Sequence, residues 1–335
     1  MSTATSAANK DHLTTFFRLY RDGLASVIGV NGMILIRHHV GTTKPERSFC
    51  ICVGEYDREH IEFTIDGSAV LRYVRQVKAG DEITFRIVHG DKPSLVLDSD
   101  KLGEMTFECS GEEREEPFNV FGELGGFKTT INLDDVLAAK TIIDRCDQDS
   151  SRYALATVQF EDGFMVATDG RRLVALESSA KHDGAFKIPS QVIEYAAKFN
   201  YEIDVFDSYC IAGDSIVSHI EGRFPQWQQV FPKTDCDVDK TGDELRKLAD
   251  THLARMKAAG ETEKNGVDFP LYDDKVVKLD ANFVKAAVGK LKAIEVSYPD
   301  KFDTSNTKYL TGPVLLTSDE RPGWREVIMP MAWDR

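Results

Sequence analysis

The 335-residue sequence contains no apolar run of about 18 residues, the length a membrane-spanning helix requires. Met1 to Lys10 is small and polar and lacks the charged start and apolar middle of a secretory leader, so it reads as a short disordered tail on a cytoplasmic protein. Cysteine is scarce, at positions 50, 52, 109, 146, 210 and 236, and its scatter fits neither a disulfide framework nor paired CxxC zinc ligands. Cys50 and Cys52 fall in the apolar run Ser48 to Val53 and read as two residues of one strand. No GxxxxGK[ST] phosphate loop and no GxGxxG turn occurs. His38-His39 and His182 lack metal-ligand spacing. Gly213-Asp214-Ser215 looks like a hydrolase phrase, but it sits in a predicted hairpin with no histidine partner indicated. These absences argue against an enzyme and against a bound metal or cofactor.

What is present is an ordinary globular composition, 42% hydrophobic and 29% charged, with a net charge of −14. An acidic total alone speaks against a nucleic-acid partner. The total does not say how the charge is distributed, and the distribution is uneven.

A strand-then-helix phrase recurs. It runs Ile61 to Val74, returns at Phe127 to Lys140 and Phe186 to Lys198, and appears a fourth time at Val277 to Val288. Each copy opens with apolar/polar alternation, places Asp, Asn, Ser or Pro where a helix should start, and continues at helical spacing. Strands are expected after the helices. Asp162-Gly163 and Asp169-Gly170 mark hairpin turns between alternating runs. The unit is one helix on an antiparallel sheet, repeated, which is an α+β architecture. The charged, Pro-ended run Glu112 to Pro117 and the polar run Pro232 to Asp243 place boundaries, giving segments 1–117, 118–232 and 233–335. Asp243 to Ala259 has the pattern of an amphipathic helix and Gly260 to Gly266 that of a loop.

Three phrases then resemble one family, the bacterial DNA polymerase III beta subunit, or sliding clamp. Val166 to Ala175 is similar to its ATDGHRLA stretch, Glu221 to Pro232 to its GRFPDYRRVLP link, and Val327 to Met331 to its C-terminal VMPM. Arg152-Tyr153-Ala154-Leu155 also fits the family's pattern. The likeness is close over 118–232 and at the C-terminal end, moderate over 54–117 and 276–331, and poor over the first fifty residues and 233–270. It implies a clamp fold of three domains per chain, with helices lining the lumen of a closed ring of two chains and sheets forming the outer wall. It also implies double-stranded DNA held without sequence preference, a replicative polymerase and a clamp loader as partners, and no catalytic residues. A phage or atypical bacterial source fits the divergence.

The lumen reading can be tested on the helices. In Ser68 to Lys78, Val70, Val74 and Val77 form a stripe, with Arg72, Arg75 and Gln76 opposite and Lys78 at the end. In Asn282 to Lys292, Phe283, Ala287 and Leu291 are expected to pack, with Lys285, Lys290 and Lys292 outward. Lys140, Arg145 and Lys198 add charge, partly offset by Asp134, Asp135 and Asp144. A diffuse basic lining over phosphates is what a sliding contact needs.

The resemblance also implies a groove for partner peptides, walled by Leu155, Thr168, Gly170, Arg171, Arg172, Leu173, Pro225, Val230, Val327, Ile328, Met329, Pro330 and Met331. Gln228 and Gln229 stand where the family has basic residues, Arg171 replaces a common His, and Trp333 extends past the last motif. The rival reading is a clamp-like interaction scaffold that encircles no DNA; a ring of three chains is a further alternative.

Overall fold

The computed structural model describes residues 6–9, 24–30, 33–39, 48–54, 60–78, 82–88, 92–108, 126–147, 154–180, 182, 184–213, 215–220, 222–233, 236–261, 266–271, 274–299 and 308–332. In chain order the elements begin with β1 (Ser6–Asn9), β2 (Leu24–Val30), β3 (Met33–His39), β4 (Ser48–Gly54) and β5 (His60–Asp66). Then come α1 (Gly67–Gln76), β6 (Glu82–Val88), β7 (Ser94–Asp98), β8 (Met105–Glu108), β9 (Phe127–Ile131) and α2 (Leu133–Lys140). The middle holds β10 (Thr157–Glu161), β11 (Phe164–Thr168), β12 (Arg172–Glu177), β13 (Phe186–Pro189), α3 (Ser190–Phe199), β14 (Ile203–Phe206), β15 (Tyr209–Ala212) and β16 (Ser215–Ser218). The last part holds β17 (Cys236–Thr241), α4 (Gly242–Ala259), β18 (Gly266–Pro270), β19 (Val276–Asp280), α5 (Ala281–Val288), β20 (Ala293–Tyr298), β21 (Val314–Thr317) and β22 (Trp324–Ile328).

All four repeated phrases form a strand followed by a helix, and β17–α4 is a fifth such pair. In three of the four repeats the expected starting residue acts as a cap, whereas Pro189 before α3 makes no side-chain cap bond. Asp66 Oδ1 accepts from Ala69 N (3.2 Å), Asn132 Oδ1 from Asp135 N (2.8 Å) and Asp280 Oδ1 from Asn282 N (2.8 Å). Thr241 and Glu244 form a reciprocal capping box on α4, and Gly260 (φ 74°) ends that helix. At its start Gly242 lies so close to the backbone after α5 that an added Cβ would sit 1.8 Å from the Leu291 carbonyl oxygen.

The chain splits into two compact units. One is Met1–Lys140 with Ile188–Glu221, the other Thr141–Lys187 with Gly222–Arg335. The first holds a four-stranded sheet, β1-β6-β7-β8, and an eight-stranded sheet, β5-β2-β3-β4-β16-β15-β14-β9. The second is built on the eight-stranded sheet β13-β10-β11-β12-β22-β21-β20-β17, with the hairpin β18-β19 beside it. Each large sheet joins strands from two of the three expected segments. β4 pairs with β16 (Ile51↔Ser215), and β12 with β22 (Leu173↔Val327). The division into two units therefore passes through the 118–232 segment.

Alternation is visible in burial. Ile83, Phe85 and Ile87 of β6 face the core, and Val70, Tyr73, Val74 and Val77 bury the stripe expected of α1. The Asp162-Gly163 turn has both residues at positive φ (53° and 79°), as a tight hairpin between twisted strands requires. Three expectations are corrected. Residues 6–9 of the expected N-terminal tail form a strand, β1, which pairs with β6 from Ser6↔Phe85 to Asn9↔Glu82 and so completes that sheet's hydrogen bonding. The polar run Pro232 to Asp243 contains a strand, β17, which pairs with β20 from Cys236↔Tyr298 to Thr241↔Ala293. The last basic helix is shorter than expected: α5 ends at Val288, and Gly289 (φ 51°) turns the chain away. The boundary run 112–117, Cys109, Arg152, Tyr153, Asp214 and Trp333 lie outside the described residues, as do the side chains of His38, His39, Cys50 and Cys52.

Candidate DNA-facing and partner-binding sites

The Thr168–Arg172 turn is held by its own side chains. Thr168 Oγ1 donates to Arg172 O (2.6 Å) and accepts from Gly170 N (3.0 Å). Asp169 Oδ1 accepts from Arg171 N (2.9 Å) and Arg172 N (3.0 Å), while its Oδ2 accepts from Arg172 Nε (3.0 Å). Arg172 Nη2 reaches Asp144 O (2.7 Å), and its guanidinium lies 4.5 Å from the centre of the Phe283 ring. Arg171 stands over the same ring at 5.7 Å. Met329 N donates to Arg171 O (3.0 Å), so the C-terminal motif continues straight off the β12–β22 ladder beside the turn. Arg172 is a fixed post here; its charge is already shared with Asp169.

The expected groove residues separate into two groups. Thr168, Leu173, Val327 and Ile328 are buried core residues of β11, β12 and β22, so they support the surface without forming it. Gly170, Arg171, Pro225 and Met329 are exposed, and Leu155, Arg172, Val230, Pro330 and Met331 are half-buried. Behind them Val166, Leu173, Ala175 and Trp227 form a cluster, with Phe164, Phe224, Val230 and Phe231 packed on it. Trp227 donates from Nε1 to Glu161 Oε2 (2.7 Å), which fixes the Phe224–Phe231 link against β10 and β11. Sequence reasoning does not find Phe283 or Trp227 as parts of this site. Trp227 lies within the 221–232 phrase, while Phe283 is marked by nothing in its neighbourhood.

The basic residues also separate. Arg72, Arg75, Lys78, Lys140, Lys198, Lys285, Lys290 and Lys292 are exposed. Arg72, with its side chain 68% exposed, makes a long 3.8 Å contact to Asp66. Lys290 and Lys292 follow α5 and do not share its face, and Lys285 binds Asp250 of α4 at 2.6 Å. Arg145 is a correction: its side chain is 5% exposed and paired with a wholly buried Glu326. Two bonds join them, Nε to Oε1 (3.2 Å) and Nη2 to Oε2 (3.0 Å), and Nη2 also donates to Ala286 O (2.8 Å). Burial pushes the Glu326 carboxyl up, against the pull of Arg145. This cation is consumed by the fold and cannot meet a phosphate.

Among the described residues no group of three His, Cys, Asp or Glu could hold a metal ion, and no helix is long and apolar enough to cross a membrane.

No family model matches the sequence, and no curated protein matches it. Solved structures do match. The architecture is that of the bacterial DNA polymerase sliding clamps, an α+β fold of helices on antiparallel sheets. The Caulobacter crescentus beta sliding clamp aligns over 99% of this chain and 100% of its own, at 14% identity and a TM-score of 0.69. The Thermotoga maritima DNA polymerase III beta subunit gives the same four values. The beta subunit from Pseudomonas aeruginosa aligns over 98% and 100%, at 14% identity and a TM-score of 0.67.

Proposed function

We propose that this chain is a DNA sliding clamp, a non-enzymatic processivity factor. In this reading two copies close a ring around double-stranded DNA, with three domains per copy near 1–117, 118–232 and 233–335. The carrying observation is the clamp fold spanning 99% of the chain and the whole of each relative. The exposed Arg72 and Arg75 on α1, with Lys78 beyond it, support the DNA contact, because a cationic helix face in a chain of net charge −14 is a local enrichment. Lys140 and Lys198 end α2 and α3 and extend that lining.

The partner side is a surface of Met329, Pro330, Met331, Arg171, Pro225 and Val230 over the Trp227 cluster. Adaptable methionines on a rigid apolar base suit short peptides from a replicative polymerase and a clamp loader. No residue is assigned a catalytic role, and the protein works in the cytoplasm on DNA. One experiment tests the reading. The protein should stay on nicked circular DNA after loading and be lost when that DNA is linearised; equal loss from both forms refutes encirclement.

A second reading, a clamp-fold scaffold without DNA, draws on the loss of Arg145 to the core and of Lys285 to Asp250. It expects unchanged retention when Arg72 and Arg75 are neutralised.

A further inference from the structure

Three parts of the peptide surface come from three different elements: the Thr168–Arg172 turn ahead of β12, Phe283 on α5, and Met329 just past β22. The β12–β22 ladder fixes the turn and Met329 against each other. α5 and the helical turn Ile143–Arg145 belong to no sheet, so side-chain contacts set their distance from it. Arg145 makes such contacts while staying out of the surface. Its side chain, 5% exposed, grips Glu326 of β22 through two bonds, donates to Ala286 O on α5 (2.8 Å) and holds the Asp144 carboxylate. Asp144 O accepts from Arg172 Nη2 (2.7 Å), and the Arg172 guanidinium lies 4.5 Å from the centre of the Phe283 ring. Phe283 stands three residues before Ala286, on the neighbouring turn of α5. The contacts therefore close on themselves, from Arg145 through Asp144, Arg172 and Phe283 to Ala286 and back. Just beyond, Asp147 N donates to Leu155 O (2.9 Å), which seats a further wall residue on the same stretch.

The fold has no need of charge at this place. A buried ion pair contributes little net stability, and apolar side chains of similar volume hold a core as well or better. What apolar side chains cannot supply is direction, since their contacts have no preferred angle. A guanidinium carries its donors in one rigid plane. Here they go at once to a strand, to a helix backbone and to the Thr141–Asp144 stretch. Such a plate fixes both the spacing and the angle between the sheet and the two elements outside it.

We propose that Arg145, seated on Glu326, is the positioning residue of the peptide surface. It sets the place of Phe283 and the angle of Arg172 beside Met329, and so governs affinity for a partner's peptide without touching it. This rests on the peptide-surface reading and deepens it. Apolar anchors bind well where the walls are held to within about 0.5 Å by side chains behind them, and Arg145 is that support for the α5 wall. The Asp169 bonds to Arg171 N and Arg172 N keep the turn's own shape, so loss of Arg145 moves Phe283 and the Arg172 guanidinium and leaves the ladder in place.

The test uses the full chain and, as probe, a synthetic peptide of four leucines alternating with serines, read by titration calorimetry. Arg145→Met with Glu326→Leu removes both charges. Arg145→Lys keeps the charge but offers one nitrogen in place of three, so it cannot hold Glu326, Ala286 and Asp144 together. Ile294→Ala, at a buried position of β20 in the same unit, is a control that destabilises without touching the circuit. Both Arg145 changes should weaken probe binding by about tenfold, while Ile294→Ala stays within about twofold although it melts at least as low. Amide exchange at Arg171 and Arg172 should quicken in the Arg145 variants and not in Ile294→Ala. If the double variant fails to fold, Arg145→Lys decides alone. Equal weakening in Ile294→Ala reduces Arg145 to a merely structural residue and overturns the proposal. Unchanged affinity in the Arg145 variants overturns it too, and leaves the peptide surface standing. If wild type binds the probe no better than Met329→Glu does, the peptide-surface reading fails and the proposal falls with it.

Discussion

Replacing Glu326 by Gln removes one charge from a pair that water does not reach. The carboxylate is 0% exposed, and Arg145 meets it through two bonds while donating to the carbonyls of Thr141 and Ala286. Loss of one partner from a buried pair costs about 3–5 kcal/mol, because the remaining charge stays desolvated. Arg145 keeps Asp144 beside it, so the lower end, about 3 kcal/mol, applies. The second unit spans roughly 160 residues, and about 2–4 °C per kcal/mol then gives a melting shift of about 6–12 °C. Replacing both partners, Arg145→Met with Glu326→Leu, is expected to cost about half as much. Burial already pushes the Glu326 carboxyl up against the attraction of Arg145, so the pair itself contributes little net stability. What remains is the loss of the Ala286 carbonyl's donor, about 1–3 kcal/mol. Calorimetry and urea unfolding of the two singles and the double measure this directly. A shift below about 2 °C for Glu326→Gln, or a double variant as costly as the sum of the singles, refutes the reasoning.

Arg72→Glu with Arg75→Glu should lower retention on circular DNA and reduce the slope of log affinity against log salt by about 0.9 for each phosphate no longer neutralised; filter binding between about 50 and 200 mM salt checks it. Met329→Glu, at a side chain 42% exposed, should weaken binding of a partner peptide on the order of tenfold while leaving the melting temperature within about 2 °C, as titration calorimetry and a thermal scan would read. Burial pushes the Cys210 thiol up to about 12 from its ordinary value of 9.0. Its stabilising contribution is therefore complete below pH 9 and fades as pH rises towards 12, by about 1.4 kcal/mol per pH unit. Cys210→Ala should flatten that alkaline loss in urea titrations, and an unchanged slope counts against the assignment.

Local signals in the sequence are reliable where one residue type has one physical use. Asp162-Gly163 requires two positive φ values, and Asp66, Asn132, Thr241 and Asp280 offer side-chain oxygens to free helix N–H groups. The strand β17 escapes a sequence reading because it lies at a sheet edge and alternates Cys236, Val238 and Lys240 with Asp237, Asp239 and Thr241, a pattern more polar than a central strand. Gly289 signals the end of α5, but the basic residues beyond it suggest a longer helix. Arg145 cannot be placed from its neighbours. Its partner stands 181 residues away, and a basic residue near a helix end reads as solvent-facing until that partner is known. The three phrases locate the peptide surface, but they do not separate Leu173, Val327 and Ile328, which the ladder buries, from Met329, which it releases.

The joining of distant strands within each large sheet has a consequence for synthesis. β4 ends at Gly54, and its outer neighbour β16 begins at Ser215. Roughly 160 residues must leave the ribosome in between, about 8–32 s at ordinary elongation rates. Throughout that interval the apolar strand Ser48–Gly54 has one edge without its native neighbour. β12 waits in the same way for β22, from Glu177 to Trp324. The chain is thus most exposed to sticking while it is being made, and cutting it at either expected boundary would make that transient edge permanent.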